Sequence, residues 1–100
     1  MKMEVNKKVE GSVLTVVPEG RIDTVTAPVL QSEIDASIDG ITELYFDFAK
    51  VEYISSAGLR VLLSAQKVMK KQGKMVIINV SDSIAQIFKI TGFYDILTIE

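Results

Sequence analysis

The chain has no cysteine and no histidine. That removes a disulfide framework, a thiol nucleophile, an imidazole base and a zinc site of the usual nitrogen and sulfur type. Neither sign of charge dominates: 11 Lys and Arg stand against 13 Asp and Glu, for a formal net charge of -2. The basic excess needed to grip a phosphate backbone is missing, so direct nucleic-acid binding is not expected. Long apolar runs are missing too. Residues 75–78 form one such run, far short of the roughly 20 residues that cross a bilayer. Residues 1–10 lack the apolar stretch of a signal peptide, so a cytoplasmic protein with no membrane contact is expected. With only 2 Pro and 6 Gly in 100 residues, no flexible or proline-rich linker divides the chain.

What is present suits one folded unit. Hydrophobic residues make up 48% and charged residues 24% of the chain, too apolar a mixture for disorder. Residues 1–100 are read as a single domain, which at this mass should expose roughly 5,600 Å² of the roughly 16,000 Å² of its unfolded chain.

Met3, Val5 and Lys7 alternate with Glu4, Asn6 and Lys8, and Glu10-Gly11 offers a turn before Val13, Leu14, Val16 and Val17. This pattern predicts a hairpin. Thr26-Ala27-Pro28 reads as a helix start in which a hydroxyl caps free amides and Pro28 occupies the first turn. The helix should run to about Ser37, with Leu30, Ile34 and Ile38 facing inward. Residues 44–48 read as a central strand, 57–72 as the longest helix ended by Gly73, and 75–80 as a further strand. Ser81 or Asp82 should cap a helix carrying Ile84, Ile87 and Phe88, and residues 96–99 should close with a short strand. The order ββαβαβαβ predicts an α/β domain with a mixed, mostly parallel sheet.

The segment 51–59, joining the aromatic strand to the longest helix, is the most informative. Ser55 and Ser56 lie at a helix N-terminus, where free backbone N–H groups favour an oxygen acceptor or an anion. Capping accounts for one serine. The second is followed by Ala57 and Gly58, small residues that would let another macromolecule reach a hydroxyl. The segment also lies at the carboxyl end of a strand, where α/β sheets place binding surfaces. Self-catalysis is not expected: no histidine is available as base, Lys50 is an ordinary strand-end cation, and G-x-S-x-G is absent. No nucleotide loop and no metal-ligand spacing occurs, so the reading is of a non-enzyme without cofactor or metal.

Asp23, in Gly20-Arg21-Ile22-Asp23-Thr24, fits either a turn or a loop contact. The longest helix has two apolar faces. Leu59, Leu62, Leu63 and Met69 should be core, while Val61, Ala65 and Val68 fit either burial or a partner surface.

These segments resemble the STAS domains of bacterial anti-sigma factor antagonists. Gly20-Arg21-Ile22-Asp23 with Thr26-Ala27 is similar to the family's G-x-[LI]-D…T-A segment. Phe46-Asp47-Phe48 through Tyr53-Ile54-Ser55-Ser56-Ala57-Gly58-Leu59 is similar to its D-[LF]-…-[FY]-[IM]-D-S-[ST]-G-L segment. The likeness, including Gly92-Phe93, extends over nearly the whole chain. It implies a switch in which an anti-sigma factor serine kinase binds the unmodified antagonist and phosphorylates a serine two residues before the motif glycine, here Ser56. A metal-dependent serine phosphatase would reverse the modification. Ser55 stands where many antagonists have Asp, which makes it the second choice of acceptor. Asp23, Thr24, Ser55, Gly58, Leu59 and Arg60 are the expected partner-binding residues. The alternative is an accessory STAS subunit of a transport or sensory complex whose serines only cap.

Overall fold

The computed structural model describes residues 4–100. Strand β1 (Glu4–Glu10) and strand β2 (Val13–Ile22) form the expected antiparallel hairpin; Met3 lies outside the described residues. Helix α1 (Ala27–Asp35) follows, then β3 (Glu43–Asp47), β4 (Val51–Ile54), α2 (Ser56–Gln72), β5 (Lys74–Ile78), α3 (Asp82–Thr91) and a 3-10 turn at Phe93–Asp95. The sheet order is β1-β2-β3-β5, with β4 paired to β2, and every pairing except the hairpin is parallel. The mixed α/β class and the central position of β3 are as expected.

Side-chain alternation sets the layers. Leu14 pairs with Leu44 and Leu44 with Met75, while Val16 pairs with Phe46 and Phe46 with Ile77. Successive side chains of a strand point to opposite faces, so these six residues form two rows on one face. All six are buried. Helix α3 docks through Phe88, whose ring centroid lies 6.3 Å from that of Phe48. The surface exposed to solvent is 5598 Å², in line with a single domain of this mass.

Three expectations need correction. Residues 51–54, read as part of a connection, are strand β4, which pairs with β2 at Gly20–Ile22 where β3 has left it. Local sequence could not show this, because parallel pairing between distant segments leaves no trace in either alone. The closing strand at 96–99 is reduced to a single parallel bridge, Ile77 to Ile99. Third, Thr26 does not cap α1 with its hydroxyl. The Asp23 carboxylate instead closes the turn before α1, accepting from the N–H groups of Val25 and Thr26 at 3.0 Å each, and the first amide of α1, Ala27 N–H, donates to the Asp23 backbone carbonyl at 2.8 Å.

The two-faced helix α2 is settled by packing. Val61 and Ala65 are buried along with Leu59, Leu62 and Met69, and α2 lies against α1. Leu63 is half-buried and Val68 is exposed, so the second face is mostly core rather than a partner surface. Gly73 ends α2 because a Cβ there would sit 1.8 Å from the Thr42 carbonyl oxygen.

Candidate functional site

Two segments distant in sequence meet at one corner of the sheet. The register pairs Arg21 with Tyr53 and Ile22 with Ile54. The Ser55 N–H then donates to the Ile22 carbonyl oxygen at 2.8 Å. Over this pairing the Arg21 guanidinium lies 4.4 Å from the Tyr53 ring centroid, a cation–π contact between two exposed side chains. Sequence reasoning missed Arg21 and Tyr53; both lie inside the singled-out segments, but only the tertiary register brings them together.

The turn before α1 is held by a small hydrogen-bond network. Thr26 Oγ1 donates to the Arg21 carbonyl oxygen at 2.6 Å and accepts from the Asp23 N–H at 2.8 Å. Hydrogen bonds to the Asp23 carboxylate, foremost from the Thr26 N–H, hold its pKa below the usual value, with a smaller contribution from the Arg21 charge. Asp23 therefore builds the turn, while Thr24 beside it is exposed.

The two serines differ in place. Ser55 is the N-cap of α2, its backbone extended and its Oγ facing the Gly58 N–H at 3.5 Å. That is long for a hydrogen bond, so the cap is weak. Ser56 is the first helical residue; it is exposed, and among the described residues its hydroxyl has no hydrogen-bond partner in the protein.

Gly58 is not the opening that the sequence reading made of it, and Leu59, expected both in the core and among the partner contacts, belongs to the core. Both are buried, Leu59 at 5% exposure. A Cβ on Gly58 would lie 2.6 Å from Ile54 Cγ1 and 2.7 Å from Ile22 Cγ2. The glycine thus lets α2 close onto the ends of β2 and β4, and access from outside is not its role. Arg60 is exposed and borders a shallow groove of about 420 Å³ between α1 and α2, lined also by Thr24, Ala27, Pro28, Ala57 and Val61. Val25 and Val29 add exposed apolar surface on the side of α1, at 76% and 48%. Of the expected contact residues, Thr24 and Arg60 are accessible, as is the expected acceptor Ser56; Asp23 and Ser55 are half-buried supports, and Gly58 and Leu59 belong to the core.

Among the described residues no group of three or more Asp or Glu could hold a metal ion. Among the described residues no helix is long and apolar enough to cross a membrane. What the arrangement offers is a hydroxyl presented on a rigid corner, beside an apolar groove.

Comparison with known proteins gives consistent results. The family model described as STAS domain matches residues 4–100. The anti-sigma-B factor antagonist of Bacillus subtilis (strain 168) is 32% identical over 100 residues, covering 99% of this chain and 92% of that protein. The anti-sigma-B factor antagonist of Listeria monocytogenes is 36% identical over 84 residues, 81% of this chain and 73% of that one. The crystal structure of an anti-sigma factor antagonist from Mycobacterium paratuberculosis superposes with a TM-score of 0.88 at 24% identity, covering 97% of this chain and 84% of that one.

Proposed function

The chain belongs to the STAS domain family, and on that premise we propose that it is an anti-sigma factor antagonist switched by phosphorylation of Ser56. The two antagonist relatives match 99% and 81% of it, which favours this reading over an accessory subunit of a transport or sensory complex. In its unmodified form it binds an anti-sigma factor that is also a serine kinase, and so governs transcription that depends on the sigma factor. The protein acts by binding, in the cytoplasm, and its partners supply the chemistry.

The observation that carries the acceptor assignment is the contrast between the serines. Ser55 is turned toward the helix backbone, whereas Ser56 is exposed and its hydroxyl is free among the described residues. In the transfer, Ser56 Oγ bonds to the γ-phosphorus of ATP as the bond from that phosphorus to the bridging oxygen breaks. ADP departs and the hydroxyl proton passes to a base of the kinase. A metal-dependent serine phosphatase hydrolyses the same Oγ–P linkage.

A phosphoryl group brings about −1.5 to −2 charges at neutral pH. The N-terminal end of α2 tolerates that charge in the free protein, because its backbone dipole is positive there. Burial against a partner that lacks a matching cation leaves the charge desolvated, so binding is lost without unfolding. Thr24 and Arg60 are the contacts at the rim, and Asp23, Ser55, Gly58 and Leu59 hold the corner behind them.

The test is incubation with the cognate kinase and ATP followed by peptide mass spectrometry. Phosphate on Ser56 is expected; phosphate on Ser55 moves the acceptor by one residue, and phosphate elsewhere overturns the assignment. In parallel, Ser56→Asp should lose the kinase in a pull-down while its melting temperature stays within about 3 °C of wild type.

A further inference from the structure

Ser56 and Arg60 are four residues apart on α2 and both are exposed. At 3.6 residues per turn that spacing places them roughly 40° apart around the helix and about 6 Å apart along it, on one face. Arg60 is the one charged side chain lining the groove between α1 and α2. Among the described residues it takes part in none of the ion pairs or side-chain hydrogen bonds. Helix α1 carries no basic residue, and the next cation of α2 is Lys67, two turns further on. Arg21 is already stacked on Tyr53.

Resting on Ser56 as the acceptor, we propose that Arg60 is a positioning residue that clamps the Ser56 phosphoryl group within the same chain. An anion placed four residues before a cation is the favourable order on a helix. The guanidinium fork matches two phosphoryl oxygens at once, which a lysine cannot do. Modification then has two effects. It adds negative charge at the start of α2, and it draws Arg60 away from the groove, removing the one positive charge that the described residues bring to its lining. An acidic side chain on the anti-sigma factor would lose its counter-ion in the same event that creates a repulsive neighbour. The switch therefore reverses the charge at the groove rim without moving any backbone.

The experiment uses the full chain with phosphoserine genetically encoded at position 56, so that no kinase is needed. ³¹P NMR follows the second ionisation of the phosphoryl group in low salt, for the wild-type background, Arg60→Gln and Arg60→Lys. The wild-type pKa should lie about 0.3 pH units below that of Arg60→Gln, with Arg60→Lys between them and the gap closing in about 1 M salt. Coincident titrations of wild type and Arg60→Gln overturn the clamp. Kinase labelling, run separately, distinguishes the two ideas. Labelled Ser56 with coincident titrations removes the clamp and keeps the acceptor, whereas label elsewhere with a lowered pKa removes the acceptor and keeps the local pairing.

Discussion

The N–H of Ser55 donates to the carbonyl oxygen of Ile22 at 2.8 Å, so the residue that caps α2 is bonded to the last residue of β2. The hydrogen bond lies at the end of the parallel pairing between β2 and β4 and makes one corner of two segments. Ser56 is the next residue, and it inherits a fixed position from a rigid sheet rather than from a loop.

Gly58→Ala should lower stability. Alanine is the better helix former by about 1 kcal/mol. Its Cβ would nevertheless lie 2.6 Å from Ile54 and 2.7 Å from Ile22, both fully packed. Overpacking of a dense core costs about 1–3 kcal/mol, and two contacts below 3.0 Å place this site in the upper part of that range, so the clash outweighs the helix gain and the net loss should be about 1–2 kcal/mol. A shift of the urea midpoint to lower concentration checks it; a more stable variant would refute the close-packing role.

Gly73→Ala should be worse. The obstacle there is backbone, the Thr42 carbonyl oxygen at 1.8 Å, in place of the ends of movable side chains. That oxygen also accepts the Lys74 N–H at 3.0 Å, so relief of the clash would open the entry to β5. A loss of about 3 kcal/mol is expected, read from chemical denaturation.

The serines should separate by stability. Ser55→Ala should cost about 0.5 kcal/mol, the low end for a cap, because its hydrogen bond is long. Ser55→Asp should gain about 0.5 kcal/mol from a charged acceptor at the positive end of the helix. Ser56→Ala should stay within about 0.5 kcal/mol of wild type, since an exposed hydroxyl without a partner has nothing to lose. Equal losses at both positions in thermal denaturation would remove the distinction between cap and acceptor.

Asp23 predicts an acid limb in the stability curve. Its folded pKa is held below the ordinary 3.8, chiefly by the Thr26 N–H. A depressed carboxylate stabilises the fold above its unfolded pKa, and that contribution fades as pH falls through the lower, folded value. Between about pH 4 and the folded pKa, wild type should therefore lose melting temperature faster than Asp23→Asn, which keeps an acceptor but no charge. Asp23→Ala should be less stable than either at neutral pH. Parallel acid limbs for wild type and Asp23→Asn would show that the carboxylate charge is not what holds the turn.

Much of the fold was legible locally. The apolar spacing of Leu30, Ile34 and Ile38 and the aromatic stretch at β3 with Phe46 and Phe48 put into the core the residues expected there. Periodicity carries that information because it repeats within one element. The Ser-Ser pair before an apolar helix was visible for the same reason, as a local signature of a helix start.

The division of labour inside the site was decided elsewhere. Whether Gly58 opens a surface or seals a core depends on Ile22 and Ile54, and these reach it only through the β2–β4 register. Arg21 likewise found Tyr53 through a contact between segments that carry no mark of one another in sequence. The order of residues determined which elements form and where a hydroxyl can begin a helix. Only the packed sheet decided which serine faces outward, because exposure is a property of the neighbours a residue acquires in three dimensions.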